Sequence, residues 1–320
     1  MQSQTITGSA PQARAGTTDF LKISDLDGAQ LERLLERATA MKAGPLAWVE
    51  AHRGKAVACF FNKPSTRTRV SFEAAAQRLG MLPIMLRPDE LQLGRGEPIA
   101  DTARVLSSYT AAIVIRTFAQ AEVEEVADTA TVPVINALTD QHHPCQALAD
   151  LLTLEERFGS LEGLRLAYVG DGNNVAHSLL EAGALAGMHV AVACPPGYHP
   201  DEEIVADAAE VALPRGGSIL VTEDPLAAVA GADAVYTDVW VSMGEDSERE
   251  ERLRRLRPYQ VDEALMSIAG RDAVFMHCLP AHRGEEVSEA VIDGPQSVVF
   301  QQAANRLPTE QAVLAQLLGG

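Results

Sequence analysis

Short apolar runs, many of them β-branched, alternate with segments of helical period along this chain. "KAVACFF" (55–61) reads as a strand, and residues 66–79 as a helix that Gly80 ends. "LPIML" is strand-like, "PIADTARVLSSY" helical, "AAIVI" (111–115) a buried strand, residues 120–128 a helix and "VPVIN" (132–136) a strand. A helix then runs from Pro144 to Phe158 and stops at Gly159. Ahead of the first strand, "DLDGAQLERLLERATAMK" has amphipathic spacing.

The alternation restarts after "FGSLEG". "LRLAYV" (164–169) is a strand, 174–187 a helix, "HVAVAC" (189–194) a strand and 202–211 a helix. "SILVT" (218–222), "DAVYTDV" (233–239), "AVFMH" (273–277) and "SVVF" (297–300) read as later strands, and 302–318 as a terminal helix. Strands alternating with helices imply parallel sheets. Two such series predict an α/β protein of two doubly wound domains joined by the helix near 144–158. The charge run "SEREERLRRLRPY" (247–259) reads as a solvated helix or loop.

Composition narrows the function. The 320 residues are 47% hydrophobic and 22% charged, enough for sizeable cores and against wholesale disorder. The net charge of −18, with no Lys/Arg stripe, argues against nucleic acid. An anionic ligand needs a local basic cluster against that background. No run approaches the roughly 18 apolar residues of a membrane span. The first 18 residues are polar and lack an apolar h-region, so they read as a disordered tail rather than a secretory signal. Cys59, Cys145, Cys194 and Cys278 are far apart, without a C-x-x-C pair. That disfavours a metal site or disulfide framework and fits a reducing cytoplasm.

The local basic cluster is "FFNKPSTRTRVSFE" (60–73). A strand, a short loop and a helix place Ser65–Arg69 at a helix N-terminus, where unpaired N–H groups and the dipole attract an anion. Ser65, Thr66 and Thr68 add hydroxyls, and Arg67 a fork that matches phosphate oxygens. Arg69 points to another side of the helix. The alternative is an ordinary N-cap with surface arginines. No P-loop pattern is present, so ATP is not implied.

Other motifs are open by themselves. In "QHHPCQ" (141–146), Pro144 suits a first helical position. His143 could donate to a carbonyl oxygen and Gln146 could bond an amide, or His143 could be a structural cap. Arg116 ends a strand, where ligands of open α/β sheets collect. "YVGDGNNVAHS" (168–178) resembles a dinucleotide fingerprint, but reads one place out of step, and no acid follows the next strand for a ribose. In "TDVWVSMG" (237–244), Asp238 suits an ammonium group or caps a turn. Ser242 offers a hydroxyl and Met243 an apolar contact. In "HCLP" (277–280), Cys278 is a core cysteine, or a nucleophile if His277 or His282 serves as its base.

Taken in order, "FNKPSTRTRVSFE", "QLGRGEPIADTARVL", "RTF", "HPCQALADLLT", "GDGNNVAHSLL", "DVWVSMG", "FMHCLPAHRGEEV" and "ANRL" strongly resemble the aspartate/ornithine carbamoyltransferase superfamily. "DVWVSMG" with "HCLPAHRGEEV" resembles its ornithine carbamoyltransferase branch. The similarity covers residues 19 to 318. It implies a carbamoyl-phosphate-binding domain (19–150), an ornithine-binding domain (151–303) and a C-terminal helix (304–320) returning to the first. It implies transfer of the carbamoyl group from carbamoyl phosphate to L-ornithine, giving L-citrulline and phosphate, without metal or organic cofactor. By this resemblance Ser65, Thr66, Arg67, Thr68 and Gln92 hold phosphate. Arg116, His143, Gln146 and Arg306 meet the carbamoyl group, and the Leu279 carbonyl its NH₂. Asn174, Asp238, Ser242 and Met243 bind ornithine, and Cys278 lies beside its side-chain amine. Arg116, His143, Asp238 and Cys278 are the expected catalytic set. Arg306 is expected at the start of the last helix and Asn173 beside Asn174. Arg95 stands where many relatives carry another residue, and the N-terminal extension is unmatched. A cytoplasmic homotrimer, or a multiple of trimers, is expected. The rivals are carbamoyl transfer to putrescine or lysine, a nicotinamide-binding oxidoreductase, and a catalytically dead regulatory homologue.

Overall fold

Burial on both faces makes the strands near-continuous apolar runs, and that is the property that pairs them in parallel with helices on either side. In the computed structural model, residues 19–44, 48–50, 52–63, 65–87, 96–241 and 246–319 are described. The first lobe runs α1 (Gly28–Ala43), β1 (Ala56–Phe61), α2 (Thr66–Arg78), β2 (Leu82–Leu86), α3 (Ile99–Tyr109), β3 (Ala112–Arg116), α4 (Gln120–Thr129), β4 (Val134–Leu138) and α5 (Pro144–Phe158). The second runs β5 (Arg165–Val169), α6 (Asn174–Leu185), β6 (His189–Ala193), α7 (Glu202–Ala212), β7 (Ser218–Thr222), α8 (Pro225–Val229) and β8 (Ala234–Tyr236). It continues through α9 (Arg249–Leu256), α10 (Glu263–Met266), β9 (Val274–Met276), α11 (Glu289–Ile292) and α12 (Val299–Leu317). Among the described residues the sheets are parallel, in the orders β2-β1-β3-β4 and β7-β6-β5-β8-β9. This is the predicted α/β class of two doubly wound sheets.

Each order reverses once, between β1 and β3 and between β5 and β8, and such a reversal opens a crevice at the carboxyl ends of the strands. Register fixes what lines it. Phe61 pairs with Arg116, so Arg116 emerges beside the loop that feeds α2. Tyr168 pairs with Tyr236 and Tyr236 with Met276, so the turn after β5, Asp238 and the "HCLP" turn end at one level.

The connecting helix α5 is buried from Pro144 through Leu154 because α1, α6 and α12 enclose it. It ends as its sequence predicts, with Gly159 at φ +81°, a left-handed stop that a side chain would disfavour. Helix α12 packs on α5, α1 and α2.

Three expectations need correction. "SVVF" is no strand: Ser297 makes an isolated bridge to Phe275, and Val299 already begins α12. The stripe Val299, Gln302, Asn305, Arg306 and Thr309 is buried with helical spacing, which overrides the local β preference. Arg306 therefore lies in the middle of the last helix, not at its start. "DAVYTDV" pairs only over Ala234–Tyr236, and its remainder turns into the crevice. The charge run forms α9 and the turn after it, solvated as expected except for buried Arg252, Leu256 and Tyr259.

Candidate active site

Helix α2 opens with Ser65 as N-cap, its Oγ accepting from the Thr68 N–H at 3.3 Å. Thr66 and Arg67 occupy the exposed first turn, and Thr68 turns inward and is buried. The Thr68 hydroxyl accepts from Arg306 Nη2 at 3.2 Å. Arg306 also donates to Gln146 Oε1 at 2.8 Å and pairs with buried Glu310 at 2.7 Å. The last helix thus reaches the mouth of α2 and the first turn of α5 with one guanidinium.

Arg116 and His143 complete this half. Arg116 is buried and its Nε has no hydrogen-bond partner among the described residues. Burial, with repulsion from Arg306 and Arg67, lowers its pKa to about 10. Burial also lowers Arg67, reinforced by Arg306 and opposed by Cys278 and Asp238. His143 caps α5, its backbone N–H donating to Ser178 Oγ at 2.8 Å, while its ring Nδ1 has no described partner. Burial and then the three guanidiniums hold its pKa well below the ordinary value, so the imidazole is neutral. Mutually repelling guanidiniums around a buried Arg116 Nε give this half the electrostatics that suit an anion, in a protein of net charge −18.

The opposite wall is anionic. Asp238, just past β8, accepts from Asn173 Nδ2 at 2.9 Å and from the Cys278 thiol at 3.0 Å. Burial, then the charge of Asp238 and this bond, push the thiol pKa well above its ordinary value. The thiol so placed is a donor to Asp238, the arrangement of an orienting group rather than of an activated nucleophile. Asn173 caps α6, accepting from Val175 N at 3.0 Å and Ala176 N at 3.4 Å. Asn174 instead crosses to the first lobe, donating to the Thr139 carbonyl at 2.5 Å. Gln92, Ser242, Met243 and Arg95 lie outside the described residues.

Sequence reasoning missed what holds the "HCLP" turn. Leu279 sits at φ +59°, a strained conformation for a branched side chain, before a cis proline. Its N–H donates to His277 Nδ1 at 2.8 Å, which makes His277 Nε2 the protonated nitrogen, 3.3 Å from buried Glu286. His277 is therefore a brace, not a base. Asp238, His277 and Cys278 also bring potential metal ligands within 4.8 Å of one another, but hydrogen bonds occupy both His277 nitrogens and the thiol. The "GEEV" spacing was the available signal for Glu286, since a buried acid needs a partner.

The dinucleotide rival fails on geometry. A Cβ at Gly172 would lie 2.4 Å from the Pro200 nitrogen, so the chain's own backbone fills the approach that a pyrophosphate needs. The Asn173 side chain takes two of the free N–H groups of α6, those of Val175 and Ala176.

Two family profiles match in succession: aspartate/ornithine carbamoyltransferase, carbamoyl-P binding domain, over residues 18–156, and the Asp/Orn binding domain over 162–317. The chain belongs to the aspartate/ornithine carbamoyltransferase family. Among carbamoyltransferases similar to it, an ornithine carbamoyltransferase of Anoxybacillus flavithermus is 54% identical over 308 residues, covering 94% of this chain and 96% of that protein. One from a Parafrankia species is 56% identical over 302 residues, covering 93% and 95%. The solved ornithine carbamoyltransferase of Pyrococcus furiosus superposes with a TM-score of 0.91 at 50% identity, covering 95% of this chain and 98% of that one.

Proposed function

We propose that this chain is an ornithine carbamoyltransferase, joining the carbamoyl group of carbamoyl phosphate to the side-chain amine of L-ornithine. One observation carries the reading: Arg67, Arg116, Arg306 and neutral His143 gather at the α2 N-terminus, facing a wall made by Asp238 and Cys278. An anionic donor and a cationic acceptor can lie side by side there.

In this reading the phosphate takes the N–H groups of α2 with Ser65, Thr66 and Arg67, joined by Gln92. The carbamoyl oxygen faces Thr68, Arg116 and His143, and its NH₂ faces Gln146 and the Leu279 carbonyl. Asn174, Asp238, Ser242 and Met243 hold the ornithine head. Cys278 and Asp238 orient the attacking nitrogen. That amine ordinarily has a pKa near about 10, and desolvation in the closed crevice favours its neutral form. The nitrogen lone pair attacks the carbonyl carbon. The bond from that carbon to the bridging oxygen breaks, phosphate leaves with the electron pair, and the proton lost by the nitrogen goes to the departing phosphate. Preorganised donors at the developing oxyanion lower the barrier, each by about 2.7–4 kcal/mol. Excluding water protects the donor from hydrolysis.

The same reading takes the assembly as a homotrimer or a multiple of trimers, supported by exposed Val70, Leu82, Val105 and Tyr109 on the first lobe. A cytoplasmic setting is supported by four free cysteines. No helix among the described residues is long and apolar enough to cross a membrane. The deciding assay is citrulline formation from carbamoyl phosphate with ornithine, compared with putrescine, lysine and aspartate as acceptors. Preference for putrescine or lysine would overturn the acceptor assignment, and no product with any amine would overturn the function.

A further inference from the structure

Asp150 takes no part in the chemistry above, yet it is fully buried on α5, one turn beyond Gln146. Its Oδ1 accepts from Gln146 Nε2 at 2.8 Å and from Gln302 Nε2 at 2.7 Å. Each glutamine then turns its carbonyl oxygen toward the site. Gln146 Oε1 accepts from Arg306 Nη1 at 2.8 Å, and Gln302 Oε1 from the backbone N–H of His277 at 3.0 Å. Gln302 Nε2 also meets the Tyr236 hydroxyl at 3.0 Å. A guanidinium or a backbone N–H only donates, and a carboxylate only accepts, so these partners leave each amide one orientation. An apolar residue at position 150 would leave the Nε2 donors of Gln146 and Gln302 without this acceptor, and Arg306 alone would then hold the Gln146 amide. A buried carboxylate is costly there, and burial pushes the Asp150 pKa up to about 7, opposed by Gln146, Gln302, Tyr236 and Arg306.

We propose that Asp150 is a positioning residue for carbamoyl recognition. It holds the Gln146 carbonyl oxygen toward the NH₂ of carbamoyl phosphate and, through Gln302 and His277, seats the turn that carries Leu279. This rests on the function proposed above.

The test is steady-state kinetics of Asp150→Leu, Gln146→Ala and the double variant. Asp150→Leu is expected to raise KM for carbamoyl phosphate between about tenfold and a hundredfold, the range for a hydrogen bond to a charged group. KM for ornithine stays within about twofold. In the Gln146→Ala background most of the effect disappears, because the two residues act as one unit. A structural loss would instead add in full. An unchanged carbamoyl phosphate KM in Asp150→Leu, or full additivity, overturns the proposal while leaving the function intact. If Gln146→Ala alone leaves that KM unchanged, the assignment beneath it falls and the proposal with it. Should Asp150→Leu fail to fold, Gln302→Met carries the same test: a raised carbamoyl phosphate KM supports the proposal and an unchanged one overturns it.

Discussion

Arg67, at the mouth of α2, donates through Nη2 to the carbonyl of Leu279, at the strained turn beyond β9, at 2.5 Å. The two groups assigned to opposite ends of carbamoyl phosphate thus satisfy one another across the crevice. Under the function proposed above, carbamoyl phosphate would offer each a new partner, phosphate for Arg67 and the NH₂ for the Leu279 carbonyl.

Arg67→Ala follows from that exchange. It removes the phosphate fork but none of the groups around Asp238. KM for carbamoyl phosphate is expected to rise between about tenfold and a hundredfold, the range for a charge-assisted bond. KM for ornithine should change little, and inhibition by inorganic phosphate should weaken in parallel. Equal, small effects on both substrates in a steady-state titration would show that Arg67 is not the phosphate ligand.

The Cys278–Asp238 bond makes a second prediction. With its pKa raised by burial and by Asp238, the thiol should react slowly with iodoacetamide at pH 8, and its labelling rate should keep rising beyond pH 9. Cys278→Ser preserves a donor to Asp238 and should keep measurable turnover, the loss falling mainly on ornithine KM. Complete inactivity of a folded Cys278→Ser protein, with a carbamoylated thiol trapped in the parent, would restore the nucleophile.

Much of this architecture is legible in the residues, and the gaps have physical causes. The strand–helix alternation, the α2 mouth and the Gly159 stop are local properties, carried by period, capping and conformational freedom. "SVVF" misleads because three β-prone residues, Val298, Val299 and Phe300, outweigh a helical stripe whose other members, Gln302, Asn305 and Arg306, are polar. Those residues are buried because α5, α2, α1 and the ends of β8 and β9 supply their partners. Asp150 and Gln302 were invisible for the same reason: they meet each other across 152 residues of chain.

Glu181 shows such a long-range partnership in stability. On α6, it accepts from Ile23 N at 3.2 Å and Ser24 Oγ at 2.9 Å, tying the second lobe to the turn Ile23–Asp25 ahead of α1. Burial raises its pKa from 4.5 to about 7, opposed by Ser24 and Lys22 and reinforced by Asp25. His142, 3.6 Å away, supplies no counter-charge, because burial lowers its own pKa to about 4. Between pH 4.5 and about 7 the native state binds more protons than the unfolded chain. The contribution of this group therefore falls as pH rises through that window and is lowest above it. Glu181→Gln should raise Tm at pH 8, by on the order of 2–3 kcal/mol of stability, and the gain should shrink toward pH 5. A Tm gain independent of pH in calorimetric scans would refute the linkage.

His143 gives the sharpest test of how the oxyanion is met. A protonated imidazole would act as an acid, and its loss would erase a limb near pH 6.5. A neutral one acts only as a fixed hydrogen-bond donor. Burial and the charges of Arg306, Arg116 and Arg67 favour the neutral ring, so NMR of labelled histidine should find it unprotonated at pH 6.5, where an ordinary imidazole is half charged. His143→Ala should lower kcat by about 10²–10³, as for one lost oxyanion donor, with ornithine KM little changed. His143→Gln keeps an N–H near the same position and should recover part of that loss, which no amide could do for a proton-transfer role. A glutamine variant no better than alanine, with a wild-type limb near pH 6.5 that both variants lack, would make His143 an acid and reverse the assignment.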